Sequence, residues 1–289
     1  QIYNVFRTRC HDGDSDKTWS HQPRLSKKGL TPFQVEARLA FGVFIRNLNH
    51  QAAWYFRRVI WADICNRILP RSQKKAAAQA LARKGGKGWI SEGSQMHSRN
   101  LRGTSQAVKQ KSWDTTRVWW APILARGKLH VEVLGEDFPG ETQEGAAILV
   151  AKIRASINLR FRGADKPDVV FTDRGKGFFN PGSGKITAGF ADALREHGLQ
   201  AFMGDDASKQ PGELQELLLH ETAASWMANR LTLTTPKRPW EESAEDFGKR
   251  LKTACQYCND NYEVESLCKE FPQRIAMLVD ETQGGRLRK

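Results

Sequence analysis

No stretch of this chain approaches the roughly 20 consecutive apolar residues that a membrane-crossing helix requires, so a soluble chain with no membrane partner is expected. Cysteine is sparse as well. Five unevenly spaced cysteines, an odd number, do not make the disulfide framework of a secreted scaffold, and a reducing compartment fits them better. Cys255 and Cys258 form a CxxC with Cys268 beyond it, but no second CxxC and no nearby His completes a four-ligand zinc site. Free thiols on a C-terminal helical segment are the simpler expectation. Acidic residues are in deficit: 32 Asp and Glu stand against 45 Lys and Arg, giving a formal net charge of +13. That excess is more than solubility needs and points to a polyanionic partner, since each neutralised phosphate releases condensed counterions. A basic amphipathic helix with an aromatic face is missing too, which favours nucleic acid over an anionic membrane surface. Gln1 in place of Met, without an apolar leader, reads as the start of a piece of a longer protein.

What is present is an alternation of strand-like and helix-like runs in 289 residues, enough for one large core. Residues 1–32 are polar and basic and read as a linker. Thr31 and Pro32 can start a helix running through VEARLAFGVFIRNL. RRVIWADIC (57–65) is rich in β-branched and aromatic residues and reads as a central strand buried on both faces. Residues 71–112 are Ala-, Lys- and Arg-rich, then Gly- and Ser-rich. The KGGKG at 84–88 lacks the strand and spacing of a phosphate loop and reads as a mobile basic loop. Strands are expected at 115–124 and 128–135, joined by Arg126 and Gly127 as a hairpin. A helix follows at 145–161, a short buried strand at 168–173 and a helix at 186–198. A last strand is expected at 199–204, then a long helix from Pro211 to about Leu231. The tail from Trp240 reads as two short helices and a basic end. The order is that of an α/β layout with a mixed sheet, as an RNase H-like fold would show, flanked by helices and extended by a helical C-terminus. The expected domains are a linker at 1–32, a catalytic domain at 33–235 and the helical tail at 236–289.

Two apolar strands end in carboxylates, Asp63 and Asp173. A charge there is costly unless it is paired or bound to metal, and ligands sit at strand carboxyl ends in open α/β sheets. Either aspartate alone could be a helix cap or a partner of a neighbour such as Arg174. Together they point to a site. A third carboxylate is expected from the segment GDDASKQPGELQELLLHETAASW, which offers Asp205, Asp206, Glu213, Glu216 and Glu221. Glu213 and Glu216, three apart on the expected helix, share a face; Glu213 could equally be an acid favourably placed at a helix N-terminus. Three hard oxygen ligands suit Mg²⁺, or Mn²⁺, and two such ions can serve in-line displacement at phosphorus. No histidine is required, although His220 lies near these acids. Basic residues suited to phosphate contact are Arg24, Lys27, Lys28, Arg71, Lys74, Lys75, Lys84 and Lys87, and more lie at 99–111.

PRLSKKGLTPFQVEARLAFGVFIRNLNHQAAWYFRRVIWADICNR resembles the lead-in of the mariner superfamily of DDE transposases: a basic stretch, a helix of the "ARLxFA" kind, a tryptophan, then a strand of the "VIWSDE" kind. RVWWAPILARGKLHVEVL is similar to that family's second and third strands, DVVFTDRGKGFFN to its second aspartate strand, and QPGELQELLLHE to its "NPIENLW" helix start. VESLCKEFPQRIAMLVDETQGGRLRK is similar to its C-terminus, so the resemblance covers residues 22–289. It implies a nuclear enzyme that cleaves double-stranded DNA at transposon ends and joins the 3′-hydroxyl to target DNA, acting as a homodimer with two Mg²⁺ or Mn²⁺ ions. Asp63, Asp173 and Glu213 would be the ligands, with Glu216 as the alternative third acid. The family has Asn after its second aspartate where this chain has Arg174. Paired helix-turn-helix domains that read terminal repeats would lie upstream, and without them cutting should be poor or without sequence choice. Two other readings stay open: a decayed or domesticated DNA-binding relative, and an RNase H-like nuclease preferring RNA–DNA hybrids.

Overall fold

The computed structural model describes residues 19–23, 30–84, 87–91, 115–163, 165–214 and 216–287. Two compact units emerge. The smaller takes in residues 1–30, 69–116 and 238–241; within it, strand β1 (Trp19–Pro23) pairs antiparallel with strand β4 (Lys87–Ser91). Part of the expected linker is therefore a strand, and Lys87 opens another where the KGGKG run read as a loop. Trp89 and Ile90, an aromatic and a β-branched residue, favour that strand.

The larger unit carries the chemistry. Helix α1 (Pro32–Asn47) begins where Thr31 and Pro32 place it. The Thr31 hydroxyl accepts from the Gln34 N–H while the Gln34 side chain accepts from the Thr31 N–H, a reciprocal cap. A short helix α2 (Ala52–Arg58) then precedes strand β2 (Val59–Ala62), so Arg57 and Arg58 are helical and not the start of the strand. Ala52 and Ala53 favour helix, and two arginines in the last turn complement its dipole. Arg58 also forks onto the Asp168 carboxylate, and its carbonyl accepts from the Asp168 N–H, which ties the α2–β2 junction to the next strand. Strand β3 (Cys65–Pro70) follows directly, and helix α3 (Gln73–Lys84) after it belongs to the smaller unit.

Strands β5 (Thr115–Ala125) and β6 (Lys128–Gly135) form the expected hairpin. Arg126 and Gly127 both take positive φ, the left-handed pair that a two-residue turn demands. Helix α4 (Gln143–Arg160) buries Ala146, Leu149, Val150, Ile153 and Ile157, one stripe at helical spacing, and leads to strand β7 (Val169–Phe171). Helix α5 (Ala188–Glu196) packs on α4 and returns the chain to strand β8 (Gln200–Ala201). The sheet runs β6-β5-β2-β7-β8, with β3 also on β5. The hairpin side is antiparallel and the β2-β7-β8 side parallel. Trp61, Phe171, Phe202 and Phe271 pack together there, Phe171 and Phe202 stacked at 4.2 Å.

The expected long helix from Pro211 is corrected: helix α6 spans Leu219–Leu233, preceded by a 3₁₀ turn at Gly204–Lys209. The physical reason lies in the carbonyls. In a helix through 213–220 the Glu213 and Glu216 carbonyls would accept from residues four further on. Arg38 donates to the first and Arg274 to the second, while the Leu217 N–H folds back on the Leu214 carbonyl only three residues before it. The tail is also more helical than expected: α7 (Ala244–Asn261) is 18 residues long and packs on β6, followed by α8 (Val264–Lys269), α9 (Phe271–Ala276) and a π turn at Met277–Glu281. Among the described residues, no helix is long and apolar enough to cross a membrane.

Candidate active site

Parallel pairing sets Trp61 opposite Phe171 in neighbouring strands. Two residues further on, both chains have left the sheet at its carboxyl edge, and those residues are Asp63 and Asp173. Identical register thus places both side chains at one end of adjacent strands, which lie about 4.8 Å apart. Each is oriented by its own backbone: the Ile64 N–H donates to Asp63 Oδ1 at 2.7 Å, and the Gly175 N–H donates to Asp173 Oδ1 at 2.9 Å. Arg174 is not the counter-ion of Asp173. Its guanidinium donates to the Gln210 carbonyl at 2.9 Å and lies over the Phe179 ring. Gly177 lets the Glu141–Thr142 loop approach, because a Cβ there would stand 2.4 Å from the Thr142 carbonyl oxygen. Glu141 thereby adds a further negative charge that acts on both aspartates.

The third carboxylate near Asp63 is Glu221, in the first turn of α6, which packs on β2. Among the described residues, potential ligand atoms of Asp63, His220 and Glu221 all lie within 4.8 Å of one another. Glu213 and Glu216 are outside that group. Both precede α6 and face arginines: Glu216 pairs with buried Arg38 at 3.2 Å and with Arg286 at 3.1 Å, and Glu213 with Arg286 at 3.4 Å. Glu221 was among the five acids that the sequence offered, but the helix start it needed was hidden. Sequence reasoning missed Glu141 entirely, since an exposed glutamate in a loop carries no signal of its own.

Burial pushes the Asp63 carboxyl well above its usual value of 3.8; Asp173 adds to the push, the Ile64 N–H opposes it, and Glu221 and Glu141 contribute further. Asp173 is raised too, chiefly by burial, with the Gly175 N–H pulling against it and Glu141 with it. Negative charge gathered in this way is what a divalent cation would relieve. His220 is fully buried, and among the described residues neither ring nitrogen has a hydrogen-bond partner. Burial pushes its pKa down to about 3, so it is neutral, the form that binds metal. Three donors of this kind fit a divalent metal.

A stability consequence follows for the cation-free protein. With raised values, the folded state holds protons that the unfolded chain, near 3.8, has lost. The folded form binds more protons, so the carboxyl contribution to stability falls as pH rises from the unfolded value through the raised folded ones. His220 adds a slope of opposite sign between about 3 and 6.5, because there the unfolded chain binds the proton. Comparing Asp63→Asn with the parent at each pH isolates the carboxylate. The variant is expected to melt higher, by a margin that widens above about pH 4 and shrinks when Mn²⁺ saturates the parent. A margin independent of pH in thermal unfolding would refute this.

Of the expected phosphate contacts, Arg24, Lys27 and Lys28, and the run at 99–111, lie outside the described residues. Arg71 donates to the Thr116 hydroxyl at 2.7 Å; Lys74 and Lys75 lie on the first turn of α3, Lys74 exposed, and Lys84 is the last residue of α3. Cys255, Cys258 and Cys268 are free and buried, with thiols pushed up to about 12, 11 and 12 by burial. They pack helices against the hairpin, Cys255 against the Leu129 carbonyl and Cys268 against the Gly127 N–H.

A mixed sheet with carboxylates at the ends of its adjacent strands β2 and β7, flanked by helices, is an RNase H-like fold. Structures of the Mos1 mariner transposase share it. A Mos1 paired-end complex with left transposon end matches with a TM-score of 0.58 at 10% identity, over 100% of this chain and 71% of that one. The Mos1 catalytic domain with Raltegravir and Mn matches at 0.54 and 10% identity, over 91% of this chain and 100% of that one. A pre-cleavage Mos1 transpososome matches at 0.55 and 11% identity, over 100% and 71%. No protein-family model and no curated protein matches the sequence.

Proposed function

We propose that this chain is the catalytic part of a mariner-type DNA transposase, which cleaves transposon ends and joins the 3′-hydroxyl to target DNA. The observation that carries this reading is the shared register of Asp63 and Asp173 at one sheet edge with Glu221 arriving from α6. Asp63, Asp173 and Glu221 would hold Mg²⁺ or Mn²⁺. Two such ions supply activation of a water or 3′-hydroxyl and stabilisation of the departing oxygen. The residues themselves do the rest. Ile64 and Gly175 N–H groups fix one oxygen of each aspartate, leaving the other free to ligate. The apolar strands behind them limit water, and the net charge of +13 draws the DNA backbone in. Among the similar Mos1 structures, one is a paired-end complex with the left transposon end and another holds Mn in the catalytic domain, which supports the substrate and the metal. Homodimeric action on two ends, and a nuclear location, belong to the same reading.

The test is nicking of supercoiled plasmid, and joining of a pre-cut 3′-hydroxyl oligonucleotide, with Mn²⁺ or Mg²⁺ supplied. Metal-dependent activity on duplex DNA that Asp173→Asn abolishes, with DNA binding retained, is the expected result. Binding without cleavage under any metal condition would point to a decayed DNA-binding relative. Preference for RNA–DNA hybrids would point to an RNase H-like nuclease.

A further inference from the structure

We propose that His220 is a direct nitrogen ligand of the cation held by Asp63 and Glu221, making that position selective for Mn²⁺ over Mg²⁺. The inference rests on the metal-dependent reading above and assigns one of its sites. His220 precedes Glu221 in the first turn of α6, so the residue that brings the third carboxylate also brings an imidazole. Its side chain is completely buried, and both ring nitrogens lack a hydrogen-bond partner among the described residues. Buried polar atoms are almost always satisfied, so two orphaned nitrogens on one ring call for a missing partner. Those nitrogens are not in an apolar pocket: one lies within 4.8 Å of both carboxylates. Two oxygens and one imidazole nitrogen converging on one point form a mixed donor set. Mg²⁺ favours oxygen donors and retains water, whereas imidazole suits transition metals. An all-carboxylate site would not discriminate in this way.

Pulsed EPR of the full chain loaded with Mn²⁺ reads the bond directly, because a coordinated imidazole nitrogen modulates the electron spin echo. The expected result is a ¹⁴N modulation that changes on labelling histidine with ¹⁵N and is lost in His220→Phe, a variant that keeps an aromatic ring in the same space. Mn²⁺ affinity, titrated in parallel, should fall at least about tenfold in that variant, with Mg²⁺ affinity changed far less. If His220→Phe does not fold, His220→Gln takes its place, and the wild-type ¹⁴N signal still decides. Mn²⁺ binding that Asp63→Asn abolishes but that shows no ¹⁴N coupling overturns this inference and leaves the proposed function standing. Persistence of the modulation in a folded His220 variant overturns it equally. No Asp63-dependent Mn²⁺ binding at all would overturn both.

Discussion

Glu221→Gln is expected to reduce strand cleavage and joining by about a thousandfold or more, while Glu213→Gln leaves both rates near those of the parent. A metal-ligating carboxylate supports several kcal/mol of transition-state stabilisation, and each decade of rate corresponds to about 1.4 kcal/mol. Glutamine keeps the shape of glutamate and the helix start but removes the charge that holds a cation. Glu221 stands within ligand reach of Asp63, whereas the Glu213 side chain is partly exposed and pairs with Arg286. A surface pair of that kind contributes little. The check is the plasmid-nicking rate of each variant at saturating Mn²⁺ together with a DNA-binding measurement. Equal losses from both substitutions would place the third acid elsewhere.

Arg38→Met is expected to cost about 3–5 kcal/mol of folding stability, the range for breaking a buried ion pair by removing one partner. Arg38 is fully buried in α1, yet its guanidinium reaches the Glu216 carboxylate, the Glu213 carbonyl, and the Gly284 and Gly285 carbonyls at 2.8 and 2.9 Å. Methionine fills a similar volume but leaves those carbonyls without their donor and the nearly buried Glu216 carboxylate with Arg286 alone. Burial pulls the guanidinium below its ordinary value while Glu216 pulls it back up, so the charge is maintained by its partners. Urea unfolding with an unchanged slope and a lowered midpoint is the expected record. A loss below about 1 kcal/mol would show that the cluster is peripheral to stability.

Arg38 also explains why part of the candidate site, the cluster of Asp63, His220 and Glu221, was hidden in the sequence. Periodicity favoured a helix from Pro211, and on that helix Glu213 and Glu216 share a face. The structure diverts the segment because arginines from α1 and α9, far away in the chain, take the carbonyls that a helix would use. No local pattern records such a contact. The start of α6 therefore moves to Leu219, and the carboxylate delivered to Asp63 becomes Glu221. Where the determinants were local, they were legible. Thr31 and Gln34 cap α1, Arg126 and Gly127 turn the hairpin, and the apolar stripe of α4 falls where its spacing puts it. Asp63 and Asp173 were legible for a different reason: an apolar strand ending in a carboxylate is costly enough to stand out. The boundary of β2 was less so, since Arg57 and Arg58 suit a strand start as well as a helix end, and the choice is made by the Arg58–Asp168 fork.

Anomalous diffraction from crystals soaked in Mn²⁺ tests the convergence of these side chains most directly. A manganese peak is expected at coordination distance, roughly 2.0–2.6 Å, from carboxylate oxygens of Asp63 and of Glu221 or Asp173. A peak coordinated by Glu213 or Glu216, or no peak beside Asp63 at saturating metal, would contradict a cation site at this edge of the sheet.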